Sequence, residues 1–560
     1  MYKVQSTYEN WLRNAIGDDD IKNELRDIAL NSELIEERFY KDLSFGTGGL
    51  RGIIGAGTNR MNIYTVAKAS QGLANYIIKK FCSVNCSIAI SYDSRIKSEL
   101  FSKITAGVFA ANGIHVYIYP HIMPTPCLSY AVRYLHCSAG VMITASHNPS
   151  KYNGYKVYDA EGCQITTDVA SEIYYCIEEL DIFKDVKQGN FNEEIEKKNI
   201  EYIEETVYTA FVEEVKKQTP IKYEDFDKKI SIVYTPLNGT GLDPVTRVLH
   251  ETGYSNIVVV KEQEEPDGNF PTCPYPNPEL KETMRLGIDY AKKYDADIVL
   301  ATDPDCDRCG VAVKKIDGDF QLLSGDETGL LLLDFICSQR IKNGTMPKRP
   351  VLIKSIVTSD MGEQIANHYD VKTINVLTGF KYIGEQICCL ERMNQGDRFI
   401  FGFEESCGYL SGGYVRDKDA VGAAFLICEL FAYYKSKGIS LFEKLKELYN
   451  IYGFRLNTIH SYEFEGVLGL VKMQNIMQKF REELDKIGGK RVEKKLDYSL
   501  GIDDLPKSDV LKYQLEGNSS VVIRPSGTEP KLKVYISVVS DSMENTNKLE
   551  KAISVEIGEF

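Results

Sequence analysis

Between residues 8 and 40, apolar positions recur at helical spacing (Leu12, Ile16, Ile21, Leu25, Ile28, Leu30, Leu34, Ile35) among many acidic ones. That period predicts one or two amphipathic helices packed as an appendage. From Asn85 onward, short apolar runs alternate with helical stretches: SIAISYDS, HVYIYP, VMITASHNP, ISIVYTPLNG, NIVVVKE, DIVLATDPD, VLIKSIVTS and RFIFGFEES. Such alternation predicts α/β domains with largely parallel sheets. Several runs stop abruptly in loops rich in Gly, Pro, Ser or Asp. Ligands of open α/β sheets bind at the carboxyl ends of strands, so the chemistry is expected in those loops. After residue 455 a helical stretch near 464–486 precedes VVIRPSGTEPKLKVYISVV, two β-rich runs around a turn. This reads as a smaller α+β domain. The resulting units are 1–210, 211–325, 326–455 and 456–560.

At 560 residues, 43% hydrophobic and 26% charged, the chain is long enough for several cores. A net charge of -14 argues against a nucleic-acid partner, which selects for clustered Lys and Arg. An anionic substrate would therefore need a local basic pocket. No apolar run reaches the roughly 18 residues that a bilayer span requires. The opening MYKVQSTYENWLRNAIGDDD has no signal-peptide core. A cytoplasmic protein without a membrane partner is expected. The 14 cysteines are scattered (Cys82, Cys86, Cys127, Cys137, Cys388, Cys389 among them) without paired Cys-x-x-Cys motifs, which reads as reduced apolar fillers rather than zinc ligands.

Four loops carry candidate chemistry. In VMITASHNPSKYNGYKVY (141–158) a buried strand stops before Pro149, which cannot continue a ladder, and Gly154 permits tight backbone geometry. Ser146 is expected on an exposed loop, either as a turn-capping serine or as a nucleophile with His147 and Lys156 beside it. In DIVLATDPDCDRCGVAV (297–313), Asp303, Asp305 and Asp307 alternate after a strand. Three hard carboxylates suit Mg²⁺; a solvated acidic turn or the nucleophile loop of a haloacid-dehalogenase-type phosphatase are the alternatives.

FGFEESCGYLSGGYVRDKDA (401–420) places Glu404 and Ser406 on one loop, where a carboxylate and a hydroxyl could bind a polyol or simply cap a helix. RPSGTEPKLKVY (524–535) gathers Arg524, Ser526, Gly527 and Thr528, a guanidinium, two hydroxyls and a glycine turn that could enclose a phosphate or merely connect a hairpin.

The string Thr144-Ala145-Ser146-His147-Asn148-Pro149 closely resembles the phosphoserine loop of the α-D-phosphohexomutase superfamily, phosphoglucomutase/phosphomannomutase type. Asp303-x-Asp305-x-Asp307-Arg308 resembles its metal loop, and Glu404-x-Ser406-x-Gly408 its sugar loop. Thr378-Gly379-Phe380-Lys381 resembles the segment paired with that sugar loop, and the string from Arg524 to Pro530 the phosphate loop. FGTGGLRGIIGAGTNRMN (45–62) is similar to the family's opening segment, which implies Arg51 beside the serine loop. SYDSRIKSE (91–99) resembles a segment whose Arg95 stabilises that loop.

The resemblance implies three related α/β domains with mixed or parallel sheets and a C-terminal α+β domain around a central cleft. It implies Ser146 as the phosphoryl carrier; from their chemistry, Lys156 is expected as catalytic general base and acid, which requires a lowered pKa, with Arg51 and His147 supporting. Mg²⁺ would be held by Ser146, Asp303, Asp305 and Asp307. Sugar phosphate would be bound by Arg308, Thr378, Gly379, Lys381, Glu404, Ser406, Arg524, Ser526, Gly527 and Thr528. The implied reaction interconverts glucose 1-phosphate and glucose 6-phosphate through a hexose 1,6-bisphosphate, by a monomer or homodimer. Phosphomannomutase and phosphopentomutase activities stay open, as do, more remotely, a metal-dependent sugar phosphatase and a non-catalytic sugar-phosphate-binding protein.

Overall fold

The computed structural model describes residues 2–46, 48–81, 85–222, 226–464, 466–482, 484–502, 505–525 and 531–558. The amphipathic start forms three helices, Tyr2–Asn14, Asp19–Asp27 and Ser32–Phe39, rather than one or two. The side chains of Asp18 and Asn31 cap the second and third by accepting from backbone N–H groups, which is why the chain restarts there. Of the apolar positions, Ile21, Leu25, Ile28 and Ile35 are buried, whereas Leu12, Ile16, Leu30 and Leu34 are exposed. Aromatic side chains complete the contact: Trp11 packs edge-on against Phe39, Tyr64 and Phe183.

Three sheets follow the same plan. The first runs Leu50–Ile53, Tyr152–Asp159, Ala139–Ile143, Ser87–Tyr92, His115–Ile118, Ile200–Tyr202. The second runs Phe320–Leu323, Cys309–Lys314, Ile298–Thr302, Ile232–Thr235, Ile257–Val259. The third runs Lys372–Val376, Val351–Ser355, Phe399–Glu404, Gly408–Leu410. Each has parallel strands joined by helices, then one or two antiparallel strands at an edge. The sheets are therefore mixed, and the cause is loop length. A parallel return needs a crossover of a dozen or more residues. The connections 144–151, 303–308 and 405–407 are too short, so the chain turns straight back.

The fourth sheet is antiparallel throughout: Phe454–Glu463, Lys531–Ser540, Ser519–Pro525, Leu511–Leu515, Lys490–Asp497, Lys486–Ile487. Helices Gly466–Arg481 and Met543–Gly558 cover it, with Met477, Phe480 and Ile553 in a separate core. One core runs through the first three units, whereas the fourth joins the third through a small cluster of Ile356, Leu377, Tyr498, Val510, Val522 and Tyr535. The serine, aspartate and 405–407 loops are thus tips of antiparallel hairpins.

The helix Ala420–Ser436 is nearly all buried, Glu429 included. Burial pushes the Glu429 carboxyl up to about 7, and its Oε1 accepts from Thr219 Oγ1 at 2.9 Å. A carboxyl raised in the fold contributes stability below its ordinary pKa of 4.5 and loses it as pH rises through 7. The Glu429→Gln variant is expected to gain stability on the order of 2–3 kcal/mol at pH 8 and little at pH 4, read as the shift in urea midpoint.

Candidate active site

The serine loop begins where Ala139–Ile143, buried throughout, runs out. Ser146 has φ +54, a left-handed backbone that costs a non-glycine residue about 1 kcal/mol or more. Three groups hold it there. Its N–H donates to Thr144 Oγ1 at 2.7 Å, and that hydroxyl donates to Asp93 Oδ2 at 2.6 Å. The Arg95 guanidinium donates to the carbonyls of Ser146 (2.5 Å), Pro149 and Tyr152 (both 3.0 Å) and Asn148. Arg95 is therefore a brace, as the resemblance implied. Ser146 itself is not exposed: 4% of its surface is accessible, because the aspartate loop of the next unit covers it.

Gly154 lies opposite Arg51 in the first sheet, and a Cβ there would stand 2.4 Å from Thr144 O and 2.9 Å from Leu50 O. Gly154→Ala is expected to destabilise the protein by about 1–3 kcal/mol, checked by urea unfolding.

Ser146 Oγ lies 2.9 Å from Asp303 Oδ2 and 3.0 Å from His147 Nδ1. Burial, then the charges of Arg308 and Arg51, hold His147 well below its usual range, so the ring is neutral at pH 7. Arg51 reaches over the loop, donating to Asn148 Oδ1 at 2.9 Å. Lys156 Nζ stands 2.7 Å from Asp305 Oδ2 and 3.3 Å from Asp307 Oδ2. Burial lowers its pKa, but the two carboxylates outweigh burial and leave it raised. These ion pairs oppose the lowered pKa that a general-base role for Lys156 requires.

Asp303, Asp305 and Asp307 are buried, with one oxygen of each within 4.8 Å of the others. Asp303 Oδ1 accepts from the N–H groups of Asp307 and Arg308, and Asp305 Oδ2 from Thr125 Oγ1 at 2.8 Å. Asp305 Oδ1 and Asp307 Oδ1 are buried without a hydrogen-bond partner among the described residues. Burial and its two neighbours push Asp303 well above the carboxylate range. Burial also raises Asp307, but Lys418, Lys156 and Arg308 overcome this and hold it low. Crowded hard oxygens, two of them unsatisfied, fit a metal ion. Arg308 is anchored by donating to Glu279 Oε1 at 2.5 Å.

From the third unit, Glu404 Oε1 accepts from the N–H of Gly379 at 2.8 Å, which ties the 404–406 loop to the segment at 378–381. Gly379 has φ +120, a conformation that needs glycine. Thr378 Oγ1 is buried and has no hydrogen-bond partner among the described residues. Burial lowers Lys381 to about 8. Ser406 sits at the hairpin tip, half-buried. Its neighbour Glu405 is pushed up to about 8 by burial and by Glu404 and Asp326. It lines a cavity of about 220 Å³ between the third and fourth sheets, with Thr358, Ser520 and Tyr535.

In the fourth unit, Arg524 lies over the ring of Tyr535 at 5.9 Å and pairs across the hairpin with Lys533. Burial and the charge of Arg524 lower Lys533, against the charge of Glu405. Ser526, Gly527 and Thr528 lie outside the described residues.

Sequence reasoning missed Lys418, whose Nζ lies 3.2 Å from Asp307 Oδ2 and 2.9 Å from Asp417 Oδ1. Burial works against its charge, but Asp307 and Asp417 raise its pKa. The signal was the Arg-Asp-Lys-Asp run 416–419. Thr125, Asp93 and Glu279 were missed as well, and only Asp93, in the segment quoted for Arg95, left any local trace.

A buried serine hydroxyl against a carboxylate triad that fits a metal ion is an arrangement suited to phosphoryl transfer. The family models for phosphoglucomutase/phosphomannomutase match in order: α/β/α domain I over 42–182, domain II over 208–318, domain III over 324–452 and the C-terminal domain over 471–551. The chain belongs to the phosphoglucomutase/phosphomannomutase family.

Curated relatives include the phosphoglucomutase of Staphylococcus saprophyticus, 37% identical over 90% of this chain and 91% of that one. The phosphoglucomutase of Staphylococcus haemolyticus is 34% identical over 96% and 98%. Among solved structures, the open form of the Paramecium phosphoglucomutase parafusin superposes with TM-score 0.68 at 17% identity, covering 93% of this chain and 95% of that one. An Aspergillus fumigatus N-acetylphosphoglucosamine mutase, solved with GlcNAc-6P and magnesium, gives 0.52 at 15% identity, covering 97% and 99%. These two show the shared fold. Among the described residues, no helix is long and apolar enough to cross a membrane.

Proposed function

We propose that this protein is an intramolecular phosphotransferase that interconverts glucose 1-phosphate and glucose 6-phosphate through phosphorylated Ser146 and a glucose 1,6-bisphosphate intermediate. The observation that carries this reading is Ser146 Oγ at 2.9 Å from Asp303 Oδ2, inside a carboxylate cluster with two unsatisfied oxygens. The names of the Staphylococcus relatives support glucose as the sugar.

Ser146 carries the phosphoryl group, and a free hydroxyl of the bound sugar monophosphate attacks phosphorus as the P–Oγ bond breaks. The proton of the attacking hydroxyl ends on the departing Oγ, and His147, neutral and 3.0 Å from Oγ, is placed to accept the serine proton when Oγ attacks in the return transfer. Lys156 and Lys418, kept cationic by the aspartates, balance charge on the transferring oxygens. Mg²⁺, bound by Asp303, Asp305 and Asp307 with an oxygen on Ser146, would supply further charge neutralisation at the phosphoryl group.

Glu404 and Ser406 would read the sugar hydroxyls, with Thr378, Gly379 and Lys381 beside them. Arg308 and Arg524, with Ser526, Gly527 and Thr528, would bind the phosphate that is not in transfer. The bisphosphate then turns over in the cleft and returns its other phosphate to Ser146. A cytosolic location is consistent with thirteen free cysteines among the described residues.

The test is turnover on glucose, mannose, glucosamine and ribose 1-phosphates, each primed with its bisphosphate. Glucose 1-phosphate is expected to give the highest kcat/KM, with mannose, differing at one hydroxyl, about 10- to 200-fold lower. Faster turnover of mannose or ribose 1-phosphate would reassign the substrate.

A further inference from the structure

Arg95 fixes the backbone of Ser146, and the support of Arg95 comes from another unit. Its side chain is buried, with Asp93 Oδ2 3.4 Å from Nε, and Nε has no hydrogen-bond partner among the described residues. The guanidinium carbon lies over the ring of Phe270 at 5.0 Å from the centroid. Phe270 is 1% exposed and has φ +49, a strained backbone for an aromatic residue. The turn that carries it closes through Phe270 N–H to Asp267 O at 3.2 Å. Before it, Gly268 lies so close to the Arg95 loop that a Cβ would stand 2.5 Å from Ile96 N and 2.7 Å from Ser94 O.

The same turn is tied to the metal loop. Asp267 N–H donates to Asn238 O at 3.1 Å, and Asn238 Nδ2 donates to Glu265 O at 2.8 Å. Two residues on, Thr240 N–H donates to Pro304 O at 2.9 Å, and Gly239 leaves no room for a Cβ against Pro304. A continuous path therefore runs from Pro304, between Asp303 and Asp305, through 238–240 and 265–270 to Arg95.

We propose that Phe270 is a positioning residue for phosphoryl transfer: its ring orients the Arg95 guanidinium, so the unit that supplies the carboxylate triad also sets the angle of the serine loop. A desolvated guanidinium over an aromatic face is held by the ring quadrupole as well as by packing. Tilting Arg95 would loosen four carbonyls at once and let Ser146 leave its left-handed conformation. The proposal rests on Ser146 being the phosphoryl carrier.

Three variants test it: Phe270→Leu, which keeps apolar bulk without a ring; a trifluorinated phenylalanine at 270, which keeps the shape and weakens the quadrupole; and Gly268→Ala, which pushes the turn away. In Phe270→Leu, kcat is expected to fall about tenfold with KM for glucose 1-phosphate within about twofold, and the fluorinated ring to cost about threefold in kcat. Amide hydrogen exchange across 144–152 is expected to quicken about tenfold in Phe270→Leu and Gly268→Ala, while strand 139–143 keeps its protection. A fluorinated enzyme indistinguishable from wild type, or unchanged exchange in that loop, overturns the proposal. A loss that appears only in KM overturns it too. If Phe270→Leu does not fold, the fluorinated ring and Gly268→Ala decide. The exchange readout does not depend on which reaction is catalysed, so failure of the phosphocarrier reading would show separately, as an active Ser146→Ala enzyme.

Discussion

Ser146→Ala is expected to lower mutase turnover by a factor on the order of 10⁴ or more, because removing a covalent carrier deletes the pathway rather than weakening one contact. No phosphate should remain on the variant after incubation with glucose 1,6-bisphosphate. The fold should be retained. Alanine keeps the Cβ that Ser146 already places at φ +54, so no backbone strain is added, and the loop is held by Thr144 and by Arg95, neither of which bonds the deleted oxygen. Among the described residues, the loss of Oγ removes its hydrogen bonds to Asp303 and His147. Calorimetric binding of glucose 6-phosphate should stay within a few-fold, since the groups assigned to the sugar and the stationary phosphate lie on other hairpins. Net release of inorganic phosphate with full activity would instead indicate a phosphatase that uses one of the aspartates as nucleophile, and would sink the assignment.

The serine, aspartate and sugar loops were legible in the sequence because each is a hairpin tip: its residues are contiguous, and its strand ends are marked by Gly, Pro and Asp. What lay outside the sequence was assembled across units. Lys418 meets Asp307 only because 417–419 folds back over the metal loop, and Thr125 meets Asp305 only through the start of the helix Thr125–Tyr134. The burial of Ser146 has the same origin, since its own loop would leave it in solvent and Asp303 closes over it.

Lys156 shows how electrostatics escape a local reading: a base role requires a lowered pKa, yet two carboxylates from another unit raise it. The mixed sheets follow from counting residues between apolar runs, and that count was available in the sequence. The first N-terminal helix was legible in period but not in facing, because Trp11 and Tyr8, rather than Leu12 and Ile16, take the interface.

Removing the metal, or one of its carboxylates, is expected to stop the reaction and to change stability in a diagnostic direction. Excess EDTA should abolish turnover, and added Mg²⁺ should restore it. Asp305→Asn should lower kcat by about 10³-fold, the scale of losing a principal electrostatic stabiliser of the transferring oxygens. An ion that binds only the folded state stabilises it by about 2.7 kcal/mol at a hundredfold excess over Kd. Mg²⁺ should therefore raise the urea midpoint of the wild type and leave Asp305→Asn almost unmoved.

Without the ion, the order of stability should reverse. Asp305 holds a buried oxygen with no hydrogen-bond partner among the described residues and adds to the repulsion that raises Asp303, so its neutral analogue relieves a cost that a cation otherwise offsets. Lys156 keeps Asp307 as a partner in that variant, which limits the opposing loss. Undiminished rates in EDTA, or a Mg²⁺-dependent midpoint shift that survives in Asp305→Asn, would remove the aspartates from the role argued for them. The reversal itself separates a metal site from a structural acidic cluster, since a cluster kept only for its ion pairs would lose stability on neutralisation whether or not Mg²⁺ is present.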